Sequence, residues 1–358
     1  MPAAKHTSLA VIGLGNIGSQ VVPLIGALPG IERVLLVDFD RYEASNLGQR
    51  ITPGDVGKAK ATVQARWLRS MTPGLAVTAY TSRFEDLPVG LLRRTIILSC
   101  VDSRAARQSI NRAAFALGTP WIDAALGREG SLRSRAYLPG HGSCLECSWG
   151  PHDYELLEQR LPCEVGVPKS APTAAAAELG AIVAGIQIAL CRRLKSDVSA
   201  IDALADRQWF LDLPSGRGWT STYSINPECR LDHSPLNITD LGGGSIDMPL
   251  QDALTLGAVN APQATLSAPG QVFVRCLRCS KCPQARRVRC RLSGRLARPQ
   301  CVACGGPTLV AAMDSELALS AGNASAAELR EPLGRRGFVA GDLIAVAAGG
   351  VTHHYQLN

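Results

Sequence analysis

No stretch of this 358-residue sequence stays apolar for the ~18 residues that a membrane-spanning helix requires. The longest candidate, AAAAELGAIVAGIQIALC (174–191), is interrupted by Glu178 and Gln187. The opening MPAAKHTS lacks the apolar core of a secretory signal, so the expectation is a cytoplasmic protein with no membrane contact. No internal repeat is visible, which argues against a solenoid or propeller. Acidic residues are missing from one region: between Arg275 and Arg298 there are nine Lys/Arg and no Asp or Glu, within a chain of net charge +7. Such a local field favours an acidic partner, either a protein face or a nucleic acid. The plainer reading is a solvated surface around a metal knot. A reducing compartment also removes disulfides as the purpose of the twelve cysteines.

A hydrophobic fraction of 46% with 19% charged residues is that of a globular protein with a real core. Apolar strand-like runs at 8–13, 33–39, 75–80 and 95–102 alternate with helical patterns at 16–28, after Gly57, and at 104–117. Further strands are expected at 120–126 and 131–138. This alternation predicts an α/β fold, a doubly wound, Rossmann-like, mostly parallel sheet. Its ligand site should lie outside the strands' carboxyl ends, where Asp38, Asp40, Asp102 and Asp123 are expected. Beyond Pro139 an irregular crossover (140–172) leads to an Ala-rich helix at 173–194 and two more strand-like runs, QWFLDL and WTSTYSI. LGGGS (241–245) breaks the chain again. The reading is a nucleotide-binding domain over 1–240 and an accessory region over 241–358. The latter holds a zinc-ribbon-like segment (270–310) and a β-like tail.

Gly13, Gly15 and Gly18 spell G-x-G-x-x-G, with Asn16 inside the turn. These glycines permit a tight strand-to-helix turn and a close backbone approach to phosphate, but the motif does not separate NAD from ATP. Asp38 stands where a ribose-binding acid belongs. Asp40, two residues on, faces the opposite way unless the chain turns between them. Asn46, Arg50, Lys58 and Lys60 add a polar donor and fixed positive charge. Arg/Lys clamps stabilise a transferring phosphate, whereas hydride transfer has no such need. The extra groups therefore suit triphosphate chemistry.

Taken together, Gly13-x-Gly15-x-x-Gly18, Asp38-x-Asp40, Ser45-Asn46-Leu47, Gly57-x-x-Lys60 and DSRAARQSIN, with Asp102, Arg107 and Asn111, resemble the HesA/MoeB/ThiF family. Members are ubiquitin-activating-like enzymes that adenylate the C-terminal carboxylate of a ubiquitin-like or sulfur-carrier protein. The resemblance covers roughly residues 7–235. It implies Mg-ATP as cosubstrate, Asp40 on the ribose, Asn46 at the phosphates, Lys60 along the triphosphate and Asp102 on Mg²⁺. It also implies a homodimer. A conjugating-enzyme-like or sulfur-donor protein would act downstream. Two departures stand out. The family's R-Q reads Gln49-Arg50 here, displacing the arginine by one position, and the seven residues before the first strand hold no arginine for a partner subunit's site.

SCLECSWGP (143–151) resembles the family's first zinc knuckle, and NPECRLDH (226–233) falls where the second is expected. The implied ligands are Cys144, Cys147, Cys229 and His233, an ordinary structural Cys₃His set. A second set, Cys276, Cys279, Cys301 and Cys304, has ribbon spacing, with 21 residues between its pairs. Cys279-x-x-Cys282 is a rival first pair, and Cys290 is spare. Cys163, near Gly166-Val167, is the candidate thiolate for carrying the acyl group as a thioester. In the related activator of ubiquitin-fold modifier, the cysteine would stand roughly where this chain has Pro168. Two other readings are an NAD(P)-dependent oxidoreductase and a non-catalytic scaffold with a nucleic-acid-binding ribbon.

Overall fold

The computed structural model describes residues 7–47, 51–127, 130–158, 176–196, 204–256 and 263–358. The chain divides into two compact units, Met1–Leu87 with Leu92–Pro235, and Pro88–Leu91 with Leu236–Asn358.

The first unit is built on an eight-stranded sheet in the order β3-β2-β1-β4-β5-β6-β7-β8. Its parallel half comprises β1 (Ser8–Ile12), β2 (Arg33–Val37), β3 (Ala76–Tyr80), β4 (Thr95–Ser99) and β5 (Trp121–Leu126). The other strands, β6 (Ser131–Tyr137), β7 (Arg207–Asp212) and β8 (Arg217–Thr222), are antiparallel to their neighbours. Both faces of the parallel half are covered, so its strands read as unbroken apolar runs. Side chains still alternate between two cores. Leu9, Val11, Ile96, Leu98 and Ile122 point to one face, and Ala10, Ile12, Ile97 and Trp121 to the other. The first core is closed by α1 (Asn16–Val21), α2 (Lys60–Met71) and the long α5 (Ala177–Ser196). The second is closed by α3 (Arg104–Ala116) and the segment around Cys144, just before α4 (Pro151–Glu158).

The helix expected over 16–28 is α-helical only to Val21 and continues as a 3₁₀ turn, Val22–Ala27. Pro23 has no N–H to donate and its ring crowds the preceding turn, so the regular ladder stops there. Because β1 connects toward β2 and β4 lies on its other side, the strand order reverses between β1 and β4. This reversal marks the crevice where such sheets bind ligands.

The second unit holds a five-stranded sheet, in the order β15-β10-β16-β17-β9, and a smaller one in which β11 pairs with β12, β13 and β14. The strands are β9 (Ile238–Asp240), β10 (Thr265–Ser267), β11 (Phe273–Cys279), β12 (Ala285–Leu292), β13 (Thr308–Leu309), β14 (Ser315–Glu316), β15 (Ala318–Ser320), β16 (Leu343–Ala348) and β17 (Val351–Gln356). The β-like tail is the β16–β17 hairpin, turned by Gly349-Gly350, both with positive φ, as a tight two-residue hairpin loop demands. A core around Leu250, Leu266, Phe273, Phe338 and Ile344 fills this unit.

Candidate nucleotide site and metal centres

The three glycines following β1 have different jobs. Gly13 sits at φ +87°, and a Cβ there would lie 2.8 Å from the Cys100 carbonyl oxygen. At Gly18 a Cβ would lie 2.0 Å from the Gly13 carbonyl oxygen. Both are demanded by the protein's own packing. Around Gly15 nothing lies within 4 Å of the Cβ position, so this glycine leaves open space at the head of α1. Asn16 faces the start of α5, where its Nδ2 donates to the Ala176 carbonyl at 3.2 Å.

Asp38 does not offer itself to a ribose. One carboxylate oxygen accepts the Leu14 N–H at 2.6 Å, and the other accepts the Asp40 N–H at 2.7 Å. The side chain is buried, and burial raises its carboxyl above the usual value against the pull of these two donors. Asp38 thus braces the glycine turn and bends the chain after β2. That bend sends Asp40 elsewhere. The Asp40 carbonyl accepts the Lys60 N–H at 2.9 Å, and its carboxylate accepts from Lys60 Nζ at 3.3 Å, leaving the acid half exposed. Tyr42 anchors the same segment, its hydroxyl accepting from Gln64 Nε2 at 2.7 Å inside the core. Asn46 closes a short turn, with its Oδ1 accepting the Glu43 N–H at 2.9 Å. Arg50 and Cys163 lie outside the described residues.

Asp102 is exposed directly after β4, and Ser103 caps α3 by accepting the Ala106 N–H at 3.0 Å. Arg107 props up this corner by donating to the Val101 carbonyl at 2.6 Å and to Asp123 at 3.0 Å. Asp123, expected at a strand end facing ligand, lies within β5. It is buried and also accepts from Ser99 Oγ at 2.9 Å. Gln187 carries a role that its sequence context only hinted at. Its Nε2 donates to the carbonyls of Ser99 (3.0 Å) and Ile122 (2.7 Å), tying β4 and β5 to α5. An amide alone in an apolar helix was the available signal.

Cys144, Cys147, Cys229 and His233 converge, with all ligand atoms within 4.8 Å of one another. Cys144 and Cys229 sulfurs are 3.6 Å apart, and Cys147 Sγ lies 3.3 Å from His233 Nε2. Tetrahedral zinc with bonds of about 2.3 Å to sulfur places neighbouring sulfurs about 3.8 Å apart, so the set has the size and chemistry to hold zinc. The knuckle is tied to one face of α3. Asn111 Oδ1 accepts the Leu145 N–H at 3.0 Å, while Arg112 and Gln108 grip the buried Glu146 carboxylate at 2.8–2.9 Å.

In the second unit the converging set is Cys279, Cys282, Cys301 and Cys304, with sulfur pairs at 3.4 and 3.7 Å. Cys276 is not among them. It lies on β11, three residues before Cys279, and an odd separation on a strand points the two side chains to opposite faces. Beyond Cys279 the chain turns, so the rival pair Cys279-x-x-Cys282 can close on one ion. The Lys281 N–H donating to Cys279 Sγ at 3.3 Å pulls that thiol down to about 6, favouring the metal-binding thiolate. Much of the basic segment's charge is met within the unit itself. Arg275 pairs with Glu316 and Glu328, Arg278 with Asp314, Arg289 with Glu331 and Arg295 with Asp342.

The ThiF family profile matches residues 2–231. Among curated proteins, the sulfur carrier protein ThiS adenylyltransferase of Escherichia coli is 34% identical over 149 residues, 40% of this chain and 58% of that protein. The sulfur carrier protein adenylyltransferase of Thermus thermophilus is 30% identical over 190 residues, 52% of this chain and 68% of that one. Ubiquitin-like modifier-activating enzyme 5 of rice (Oryza sativa subsp. japonica) is 27% identical over 161 residues, 40% of this chain and 38% of its own length. The chain thus spans only 58% of the E. coli enzyme and 38% of the rice enzyme. The crystal structure of E. coli MccB with ATP superimposes with a TM-score of 0.50 at 20% identity, covering 63% of this chain and 67% of that one. That likeness is one of fold. With the profile spanning well over half of its length, and the glycine turn, Asp40–Lys60 pair and Asp102 at the carboxyl ends of one parallel sheet, the chain belongs to the ThiF family.

Proposed function

We propose that this chain is an ATP-dependent adenylyltransferase that activates the C-terminal carboxylate of a small ubiquitin-like or sulfur-carrier protein. The observation that carries the reading is the Asp40–Lys60 pair. It is an acid and a cation held together after β2, at the same sheet edge as the open turn at Gly15 and the exposed Asp102. Asp40 binds the ribose hydroxyls once ATP enters, which frees Lys60 to lie along the phosphates. Asp102 is the acid to hold Mg²⁺, a hard ion that takes one or two carboxylates with phosphate oxygens and would neutralise phosphate charge there. The carrier's carboxylate oxygen attacks the α-phosphorus. A new P–O bond forms, the bond to the β-phosphate bridging oxygen breaks, and pyrophosphate leaves with the electron pair. The protein's contribution is positioning and fixed charge. Cys144, Cys147, Cys229 and His233 would hold a structural zinc that ties the two sides of the crossover together.

In the finer reading, the Cys163 thiolate then attacks the acyl carbon, forming a C–S bond as the C–O bond to AMP breaks. The enzyme works as a cytoplasmic homodimer and hands its product to a conjugating-enzyme-like or sulfur-donor protein. The nicotinamide alternative needs Asp38 for a ribose, and both of that residue's oxygens already serve backbone N–H groups.

ATP–pyrophosphate exchange, measured with candidate carriers ending in glycine, tests the reading. Exchange should depend on the carrier and fall at least ~100-fold in Lys60→Ala, with the circular dichroism melt unchanged. Tight NADH binding with no Mg-ATP affinity would refute it.

A further inference from the structure

The long helix α5 carries a face that neither the core nor the nucleotide site uses. Val183, Ala184, Gln187 and Cys191 turn inward and are buried, whereas Glu178, Ala181, Ile182, Gly185, Ala189 and Arg192 are exposed. At 3.6 residues per turn these six fall within a stripe about 100° wide, so they share one side of the helix. A solvated helix face normally carries charge. Here the thirteen residues between Glu178 and Arg192 contain none. The stripe borders an open groove of about 500 Å³, lined by Leu24, Gly185, Ile188, Ala189, Arg192 and Arg193.

Gly185 is the informative residue. A glycine inside a helix weakens it, and packing can demand one, as at Gly180, where a Cβ would strike Asn16. At Gly185, beyond the helix's own backbone, nothing lies within 4 Å of the Cβ position. The bare backbone there serves no contact in its own chain, and it lets another backbone come close. The sequence also says which one. Counted from Gly185, Ile182 and Ile188 stand three residues away on either side, Ala181 and Ala189 four, and Glu178 and Arg192 seven. An antiparallel copy of the helix, related by a two-fold axis at Gly185, sets each residue against its counterpart. Small residues then face small ones. Ile182, 37% exposed, falls opposite the other copy's Ile188, which lines the groove. Acid meets base at both ends, as an isologous interface requires. Within one chain Glu178 and Arg192 cannot meet, because fourteen residues of helix hold them about 21 Å apart. Arg192 donates to the Ala27 carbonyl at 3.2 Å, and a guanidinium has further N–H groups to give a carboxylate.

We propose that this face of α5 pairs antiparallel with the same face of a second copy of the chain, with the backbones closest at Gly185 and reciprocal Glu178–Arg192 ion pairs at the ends. This pairing rests on the homodimer of the proposed function, for which it names the contact face.

Sedimentation velocity over a dilution series of the full, zinc-loaded chain tests it. Wild type should be a dimer at micromolar concentration. Gly185→Arg sets like charges against each other on the axis and should weaken the dimer at least tenfold. E178R and R192E, each alone, alter two contacts and should do the same. The double variant E178R/R192E should return the dissociation constant to within about threefold of wild type, since the swapped pair is restored between copies. All four should keep the wild-type circular dichroism spectrum, because the three positions are exposed. A monomeric wild type, a Gly185→Arg protein that dimerises like wild type, or a double variant no tighter than its parents would overturn the proposal. ATP–pyrophosphate exchange by wild type is measured alongside. Exchange by a monomer would remove the interface and leave adenylation standing, whereas a dimer with this mutational pattern and no exchange would keep the interface and remove adenylation.

Discussion

The sharpest test of the nucleotide site compares two alanine substitutions in one turn. Gly13→Ala forces a side chain into the left-handed region at φ +87° and places its methyl 2.8 Å from the Cys100 carbonyl oxygen. The conformational penalty is about 1–2 kcal/mol, and overpacking against backbone adds about 1–3 kcal/mol. A loss of roughly 2–5 kcal/mol in folding stability is expected. Gly15→Ala has no atom within 4 Å of the new methyl, so it escapes the overpacking that burdens Gly13→Ala and should lose less stability than that variant. Its effect should instead fall on ligand binding, because the methyl occupies the space proposed for phosphate. At least a tenfold drop in Mg-ATP affinity, about 1.4 kcal/mol, is expected. Urea unfolding followed by circular dichroism measures the first effect, and titration calorimetry with Mg-ATP the second. A Gly15→Ala protein that binds Mg-ATP as well as wild type would refute the assignment of that space. A Gly13→Ala protein of wild-type stability would refute the division of labour among the glycines.

Three further outcomes follow from other parts of the molecule. Elemental analysis should find two zinc ions per chain, one in Cys282→Ser, and still two in Cys276→Ser, since only the former removes a converging thiol. Gln187→Leu should cost about 2–4 kcal/mol in urea unfolding, because the carbonyls of Ser99 and Ile122 lose their shared buried donor. Asp55 is buried, and Arg66 and Thr52 hold its carboxyl well below the usual carboxylate range. Its contribution is present above the unfolded value near 4 and is lost as pH falls through the lower folded value. Asp55→Asn should therefore be less stable than wild type at pH 7, with the gap narrowing as the pH is taken from about 4 downward in the same unfolding assay.

Much of the first unit was legible because its information is local. Runs of buried β-branched and leucine residues and the glycine turn are properties of short segments, whereas the assignment of alternate side chains to two cores came from the structure. Motif spacing likewise brought Gly15, Asp40, Lys60 and Asp102 into one hypothesis, because each belongs to a motif at the carboxyl end of a strand in the same parallel sheet. The sequence was poorer where one residue type can serve two ends. Asp38 and Asp40 are chemically identical, and only the bend after β2 shows that the first serves the Leu14 and Asp40 N–H groups while the second meets Lys60. Cys276 and Cys282 stand at equal distances from Cys279. The choice between them was made by where β11 ends, since a strand separates side chains that a turn brings together.

The basic segment shows the same limit through charge. By itself the sequence determined how much positive charge lies between Arg275 and Arg298, and that no acid within that stretch offsets it. Only the tertiary structure decided which part of that charge remains. Folding carries Asp314, Glu316, Glu328, Glu331 and Asp342 back onto four of the arginines. Coulomb attraction depends on separation in space rather than along the chain, so composition counts the charges and the fold pairs them.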